Sequence, residues 1–510
     1  MFTVDGEHSF WSFVVPFSFD PETFEAQSER LLAQRWRNPS PSREVPVWRP
    51  ERLSTDELLP AIAAYINPGA STKATLMALE LDGEAHAAFW GNPRHYSWFL
   101  TSVPDRSDLK FGALATHLFL FRTGAGFLAL SVRPGEEWDE GTLLDFMHFF
   151  RLGVSRNQGT LKCQPRSQGG EHHAVWPPIL AEKLEGATET SPHSIVRLLL
   201  DAEDEPWTEP VFESDAMLVF GATFLRSDLP LDAVEVRARL QVILGGILTY
   251  AHSRTPIDPS VRWGRGEIRR VGRDQFFTFG PGGSTFVGIG DQDEFILSGF
   301  SGALRKAYFP LFLLAQHQRV VLLTLAKRVA EKFIPPEPQQ KLAAEGRSHE
   351  FERLRNRVFE FTSRGYFSQV SDNERMQAYY ERWRDVLALD TLYREVSDRV
   401  GEISNAITSI RSLGLLRHVE VTTRQQAATA ETLEYVELGV AGVYFLEAVA
   451  LLLQYSGQDE QLLKHGPRLF GLALPFWIVL VAVTLGIVML RRLLKALKKK
   501  FLARDANDTP

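Results

Sequence analysis

The sequence predicts an α+β, α/β-type cytosolic domain followed by long stalk helices and a C-terminal two-helix transmembrane hairpin. Three observations predict this. Leu469 to Leu490 is a 22-residue run without a charged side chain, closed by a basic cluster. A second apolar segment, Tyr435 to Tyr455, lies just upstream. Residues 1–301 alternate strand-like and helix-like patterns before the sequence turns helical.

Residues 1–160 read as an N-terminal α/β region, 161–210 as a loop-rich linker, and 211–301 as a second α/β region completing the domain. "THLFLFRTGAGFLALSVRP" is two strand-like runs around Thr123-Gly124-Ala125-Gly126, a hairpin signal. The amphipathic "GTLLDFMHFFRLGV" follows as a helix. "DAMLVFGATFL" reads as a strand, "DAVEVRARLQVILGGILTYAHSR" as a helix, and "DQFFTFGPGGSTFVGIGD" as another hairpin. "NQGTLKCQPRSQGGEHHAVWPP" is rich in turn residues and reads as loop.

Residues 302–434 read as a helical stalk. "FPLFLLAQHQRVVLLTLAKRVAEKFIPPEP" is very apolar, but Gln316, His317, Gln318 and Arg319 interrupt it, so it reads as a buried core helix stopped by Pro335 and Pro336. "FERLRNRVFEFTSRGYFSQVS" gives a second helix. Ser371-x-x-Glu374 has the spacing of a capping box before "NERMQAYYERWRDVLAL". Val396, Val400, Ile403, Ile407 and Ile410 then recur at alternating four- and three-residue steps, a coiled-coil-like seam.

The hairpin occupies 435–490, with spans at 435–455 and 469–490. A helix of 22 residues reaches roughly 33 Å, enough for a hydrocarbon core about 30 Å thick. Pro475 falls in its first turns, where the missing N–H costs least. Arg491, Arg492, Lys495, Lys498, Lys499 and Lys500 follow in the 491–510 tail, placed to hold anionic lipid headgroups on the cytoplasmic side. "MFTVDGEHSFW" lacks the basic start and apolar core of a secretory signal, so a cytoplasmic N-terminus is expected. With both ends cytoplasmic an even number of spans is required, and Tyr435–Tyr455 supplies the second. The expected location is the inner (plasma) membrane, multi-pass. The single cysteine, Cys163, excludes an intramolecular disulfide and suits a reducing compartment.

The first span carries Glu437, Tyr444, Glu447 and Gln454 within an arc of about 100° on a helical projection. Leu438, Phe445, Val449, Leu452 and Leu453 face the other way. Acidic side chains turned to lipid are costly, so such a stripe belongs against a bundle interior or an aqueous path. Three readings fit: a pore wall made by several copies of the helix, a buried contact with the second span or a neighbouring subunit, or a soluble amphipathic helix.

Enzymatic chemistry is not expected. "GPGGST" (Gly280 to Thr285) lacks the lysine of a phosphate-binding loop and sits between strands, so it reads as a turn. Cys163, Glu171, His172 and His173 match no zinc spacing. Asp145 and His148 share a helix face, as many structural pairs do. No G-x-S-x-G or H-E-x-x-H arrangement is present. The net charge is −7 although the last 20 residues hold seven basic and two acidic side chains. The remainder is therefore strongly acidic, which argues against nucleic-acid binding.

This order of parts, with "YFSQVSDNERMQAYYERWRDVLALDTLYREVSDRV" and the terminal hairpin as the nearest echoes, resembles the CorA-type divalent-cation channels. "TLEYVELGVAGVYFLEAV" is also similar to the first span of uncharacterised bacterial two-span CorA-like proteins. In CorA channels a tyrosine-glycine-methionine-asparagine sequence closes the first span. Here the stretch is "LLQYSGQDE": Tyr455 and Gly457 correspond, and the methionine-asparagine pair is absent. The resemblance implies a homopentamer with the first span around the axis, and Mg²⁺ or another divalent cation as the transported or regulatory ion, with no other cofactor. Glu437, Tyr444, Glu447, Gln454, Tyr455 and Gly457 are then the pore-lining candidates. Without the asparagine ring a hydrated Mg²⁺ lacks its outer ligands, and five Glu447 side chains offer an acidic ring in its place. The alternative is a non-conducting membrane-anchored sensor or scaffold whose α/β domain binds a ligand or a protein partner.

Overall fold

The computed structural model describes residues 2–456 apart from short stretches, chiefly 68–73, 154–161, 168–174, 201–206, 212–215, 228–232, 256–263 and 333–343. Beyond 456 it describes 468–469, 472–473 and scattered helical positions between 481 and 495. Two units separate, Met1–Asn405 and Ala406–Pro510.

The first unit is a large mixed sheet with helices. Strands β1 (Phe2–Val4) and β2 (Phe10–Ser18) lead to α1 (Phe24–Ala33), a separate ribbon of β3 (Arg35–Pro39) and β4 (Ser42–Pro46), β5 (Trp48–Pro50) and α2 (Pro60–Ile66). Next come β6 (Leu76–Leu81), α3 (Gly83–Trp90), β7 (Tyr96–Thr101), β8 (Leu109–Phe121), β9 (Ala125–Pro134), β10 (Trp138–Asp139) and α4 (Glu140–Leu152). Then follow β11 (Lys162–Ser167), α5 (Pro178–Lys183), α6 (Pro192–Leu199), β12 (Glu209–Pro210), β13 (Leu218–Ser227) and α7 (Val234–Thr249). The strands end with β14 (Glu267–Gly272), β15 (Gln275–Gly280) and β16 (Gly283–Ile289). Among the described residues fourteen strands share one sheet, whose main path runs β11-β7-β8-β9-β2-β13-β16-β15-β14. Its neighbours are antiparallel except β13 and β16, which run parallel with α7 in the connection.

Alternation along the strands feeds two layers of helices. On β2, Phe13 meets Phe146 and Phe150 of α4 at ring-centroid distances of 6.0 and 4.5 Å. Val219 of β13 pairs with Phe13, and the next residue, Phe220, therefore points to the other face. There it meets Phe309 and Phe312, each at 5.3 Å, on α9 (Phe309–Lys332). Strands buried on both sides need continuous apolar sequence, which explains why β2 and β13 read as runs rather than alternations. The β8–β9 pairing shifts register between Ala113 and Ala115. One extra residue there sends Phe111 toward α4 and Phe119 toward Phe309, although both are odd-numbered.

Several expectations sharpen or change. The hairpins β8–β9 and β15–β16 form as the sequence indicates. In the second, Gly283 has φ 145°, and a Cβ would stand 1.9 Å from the Val219 carbonyl oxygen, so "GPGGST" is a turn fixed by backbone crowding. Residues 161–210 carry more structure than their turn-rich composition suggests. β11 pairs along the whole of β7, while Ile179, Leu180, Ile195, Val196, Leu198 and Leu199 enter the core. Apolar side chains at alternate or helical spacing outweigh the turn residues around them.

The most apolar long helical stretch among the described residues, Phe295–Glu331, meets the length and composition of a membrane span, yet 78% of its apolar window is buried in the first unit. It begins with π-helical turns Phe295–Phe300 and Leu304–Tyr308 around a short α8 (Ser301–Ala303) and continues as α9. The polar run that interrupts α9 is housed within the core. The His317 ring stacks on Phe121 at 4.0 Å and its Nε2 lies 2.9 Å from Thr123 Oγ1. Gln318 donates to the Gly365 carbonyl at 3.0 Å and accepts from the Tyr380 hydroxyl at 2.9 Å. α10 (Ala344–Arg364) and α11 (Glu374–Val386) follow. The helix cap differs from the expected box: Asn373 accepts from Arg375 N, while Ser371 Oγ donates to the Glu57 carbonyl. Asn is as good a cap as Ser and stands one residue before the helix, so Ser371 is released to tie the segment to the sheet domain.

α12 runs from Leu389 to Ser456, 68 residues. Ala388, with φ 53°, separates it from α11. Val396 and Val400 of the expected seam are buried and Ile403 is half-buried in the first unit; the side chains of Ile407 and Ile410 lie outside the described residues.

Candidate functional site

In the second unit every residue from Ala406 to Ser456 is helical, a length of roughly 75 Å. The sequence dictates this locally: no proline or paired glycine interrupts 406–456. Glu437, Tyr444 and Glu447 are exposed on one side of that helix. They do not form a purely polar stripe. Leu433, Val436, Val440 and Val443, all exposed, lie between them at three- and four-residue steps. The face is therefore mixed, an apolar seam flanked by two carboxylates and a phenol, and this is the composition of a helix surface that meets another helix. Gln454 and Tyr455 are helical, with side chains outside the described residues, and Gly457 lies outside them altogether.

The second predicted span is described only in part. Arg468–Leu469 and Leu472–Ala473 pair as a two-residue antiparallel ribbon, so Leu469, Leu472 and Ala473, which fall inside the expected 469–490 helix, are extended. Helical positions are described at Val481, Thr484, Leu485, Val488, Arg491, Arg492 and Lys495, the last five exposed and Val481 and Thr484 half-buried. Lys498, Lys499 and Lys500 lie outside the described residues, as does the remainder of the span.

The other residues singled out in sequence have structural settings. Asp145 is 1% exposed and accepts from Arg106 Nε at 2.6 Å, Ser253 N at 2.8 Å and Ser253 Oγ at 2.9 Å. His148 lies with Nδ1 2.7 Å from the Tyr250 carbonyl, and burial lowers its pKa. The two side chains thus fasten α4 to different partners rather than share a proton. Cys163 is buried in β11, and desolvation pushes its thiol well above the usual range, leaving it a poor nucleophile. Glu171, His172 and His173 lie outside the described residues. Among the described residues no group of three His, Cys, Asp or Glu side chains is placed to hold a metal ion.

One feature of the first unit escapes sequence reading. Between β14, β15, the π-helical turns and α11 opens a groove of about 450 Å³ lined by aromatic and arginine side chains. Its arginines come from positions a hundred residues apart, and only the fold brings Arg269 and Arg270 opposite Arg375 and Arg382.

No family model matches this chain, and no solved structure matches it. A curated relative is the uncharacterised protein MJ1566 of Methanocaldococcus jannaschii, 33% identical over 126 residues. The match takes in 21% of this chain and 28% of that protein, so this chain spans little more than a quarter of that protein's length.

Proposed function

We propose that this chain is an integral membrane protein of CorA-like layout, multi-pass in the inner membrane, whose C-terminal helices form a path for a cation under the control of the sheet domain. The observation that carries the reading is the face of α12, where Glu437, Tyr444 and Glu447 are exposed beside an apolar Val436–Val440–Val443 seam. Copies of the chain joined along that seam would gather their Glu447 carboxylates around one axis, and rings of carboxylates select cations. A pentamer is what the resemblance implies, and Mg²⁺ or another divalent ion is the proposed cargo. The 469–490 segment would complete the hairpin, with Arg491, Arg492 and the lysines after them on cytoplasmic headgroups. Glu447→Gln in reconstituted vesicles should lower divalent-cation flux by about tenfold or more while leaving assembly size unchanged. Equal flux from both proteins, or none from either, would end the channel reading.

The arginine–aromatic groove favours a second reading, a membrane-anchored sensor in which the hairpin only tethers the sheet domain. In that case the protein stays in membranes, conducts nothing, and Glu447→Gln has no phenotype.

A further inference from the structure

We propose that the groove between β14, β15, the π-helical turns and α11 binds a nucleotide, the base lying on its aromatic floor and the phosphates on its arginine rim. This inference concerns the first unit alone and holds whether or not the C-terminal helices conduct ions.

The floor is built from rings already locked against one another. Phe277 lies 5.3 Å from Tyr379 and 5.2 Å from Phe286, centroid to centroid. Phe300 meets Phe286 at 4.8 Å and Tyr308 at 5.7 Å, both edge-on. Tyr308 meets Tyr379 at 4.9 Å, also edge-on. Phe277, Phe286, Tyr308 and Tyr379 are buried, so the floor is rigid, and Phe300 lies half-buried at its side. The rings with surface open to a planar base are Phe300, held in place by Phe286 and Tyr308, and Phe295, which is 72% exposed. The π-helical turns that carry Phe300 and Tyr308 are a rare backbone form, frequent at functional sites.

The rim has one sign. Arg269, Arg270, Arg375 and Arg382 line the groove, and among the described residues no acidic side chain does. Acids approach only from outside it. Glu267 lies 3.8 Å and Asp385 3.4 Å from Arg382, and Glu57 acts on Tyr308 from a distance. Arg269 and Arg375 therefore offer the rim's uncommitted charge, and planar guanidinium groups suit phosphate oxygens in pairs. A concave, largely apolar site with a few convergent polar groups is the usual form of a small-molecule site, and about 450 Å³ falls within the range of such sites. An acidic peptide would satisfy the rim but leave the aromatic floor unused. A nucleotide uses both.

Equilibrium dialysis of full-length, detergent-solubilised protein against ADP in chelator tests this. Saturable binding of one ADP per chain is expected, with adenosine and pyrophosphate each at least about tenfold weaker, since each uses half the site. Arg269→Gln, at a half-buried rim position, and Arg375→Gln, at an exposed one, should each weaken ADP by about tenfold, with the circular dichroism spectrum unchanged. Absence of saturable binding of ADP, GDP and UDP at about 1 mM would overturn the inference. So would pyrophosphate or a glutamate oligopeptide binding as tightly as ADP, or ADP affinity indifferent to both arginine changes.

Discussion

Asp145→Ala should destabilise the sheet unit by about 3 kcal/mol, the scale of a buried ion pair that loses one partner. The carboxylate is 1% exposed and holds together three separate pieces of chain: α4, the Arg106 turn and the Ser253 loop. His252 Nε2 adds a fourth contact at 3.6 Å. Removing the carboxylate leaves the Ser253 amide and hydroxyl without their acceptor. Arg106 is less penalised, because its side chain is 29% exposed and water can reach it, which keeps the expected loss near the lower end of the range. Asp145→Asn retains an acceptor for Ser253 and should cost less than half as much. Thermal midpoints of the purified full-length variants check this. Equal midpoints for Asp145→Ala and the parent would show that the cluster is not a clamp.

Acid should weaken the fold through His317. Burial holds its pKa down at about 3, whereas in the unfolded chain it returns to about 6.5. Between those values the unfolded chain binds a proton that the folded chain refuses. The stability is therefore complete above about 6.5 and is lost as pH falls through the window, at roughly 1.4 kcal/mol per pH unit. His86 and His148, also lowered by burial, add slopes of the same sign. His317→Gln isolates the part due to this one ring, since glutamine keeps a polar partner for Thr123 but does not titrate. The difference in melting temperature between parent and variant should shift in favour of the variant as pH drops from 7 to about 4.5. Parallel profiles would show that protonation of this ring does not oppose folding.

Both predictions rest on side chains whose role the sequence only half reveals. The hairpins are legible because alternating apolar runs meet at Thr123–Gly126 and Pro281–Gly282. The α9 segment is legible as core because a central Gln-His-Gln-Arg run is intolerable in lipid and tolerable against Thr123, Gly365 and Tyr380. The β8 bulge is not legible, since Ala113-Leu114-Ala115 differs in no composition from an unbroken strand, yet it decides which face Phe119 serves. The cap of α11 falls two residues later than the sequence indicates because Ser371 and Asn373 can both cap, and only the Glu57 carbonyl decides between them. Turn residues around Cys163 conceal β11, whose existence depends on β7 being there to pair with. The groove lies furthest from reach: nothing near Arg269 signals Arg375, because their proximity is a property of the sheet edge and α11 together. On α12, the helical projection places Glu437, Tyr444 and Glu447 on one face, where they are found, but leaves out the valines among them.

The proposed paired crossing of the membrane can be tested by cysteine labelling, because the protein has one native cysteine and Cys163 is buried. In a Cys163→Ser background, Gln458→Cys and Asn507→Cys would be exposed in turn to a membrane-impermeant maleimide on intact cells. The account predicts that Gln458→Cys is labelled from outside, and that Asn507→Cys is labelled only after the cells are opened. Labelling of both positions from the same side would contradict it.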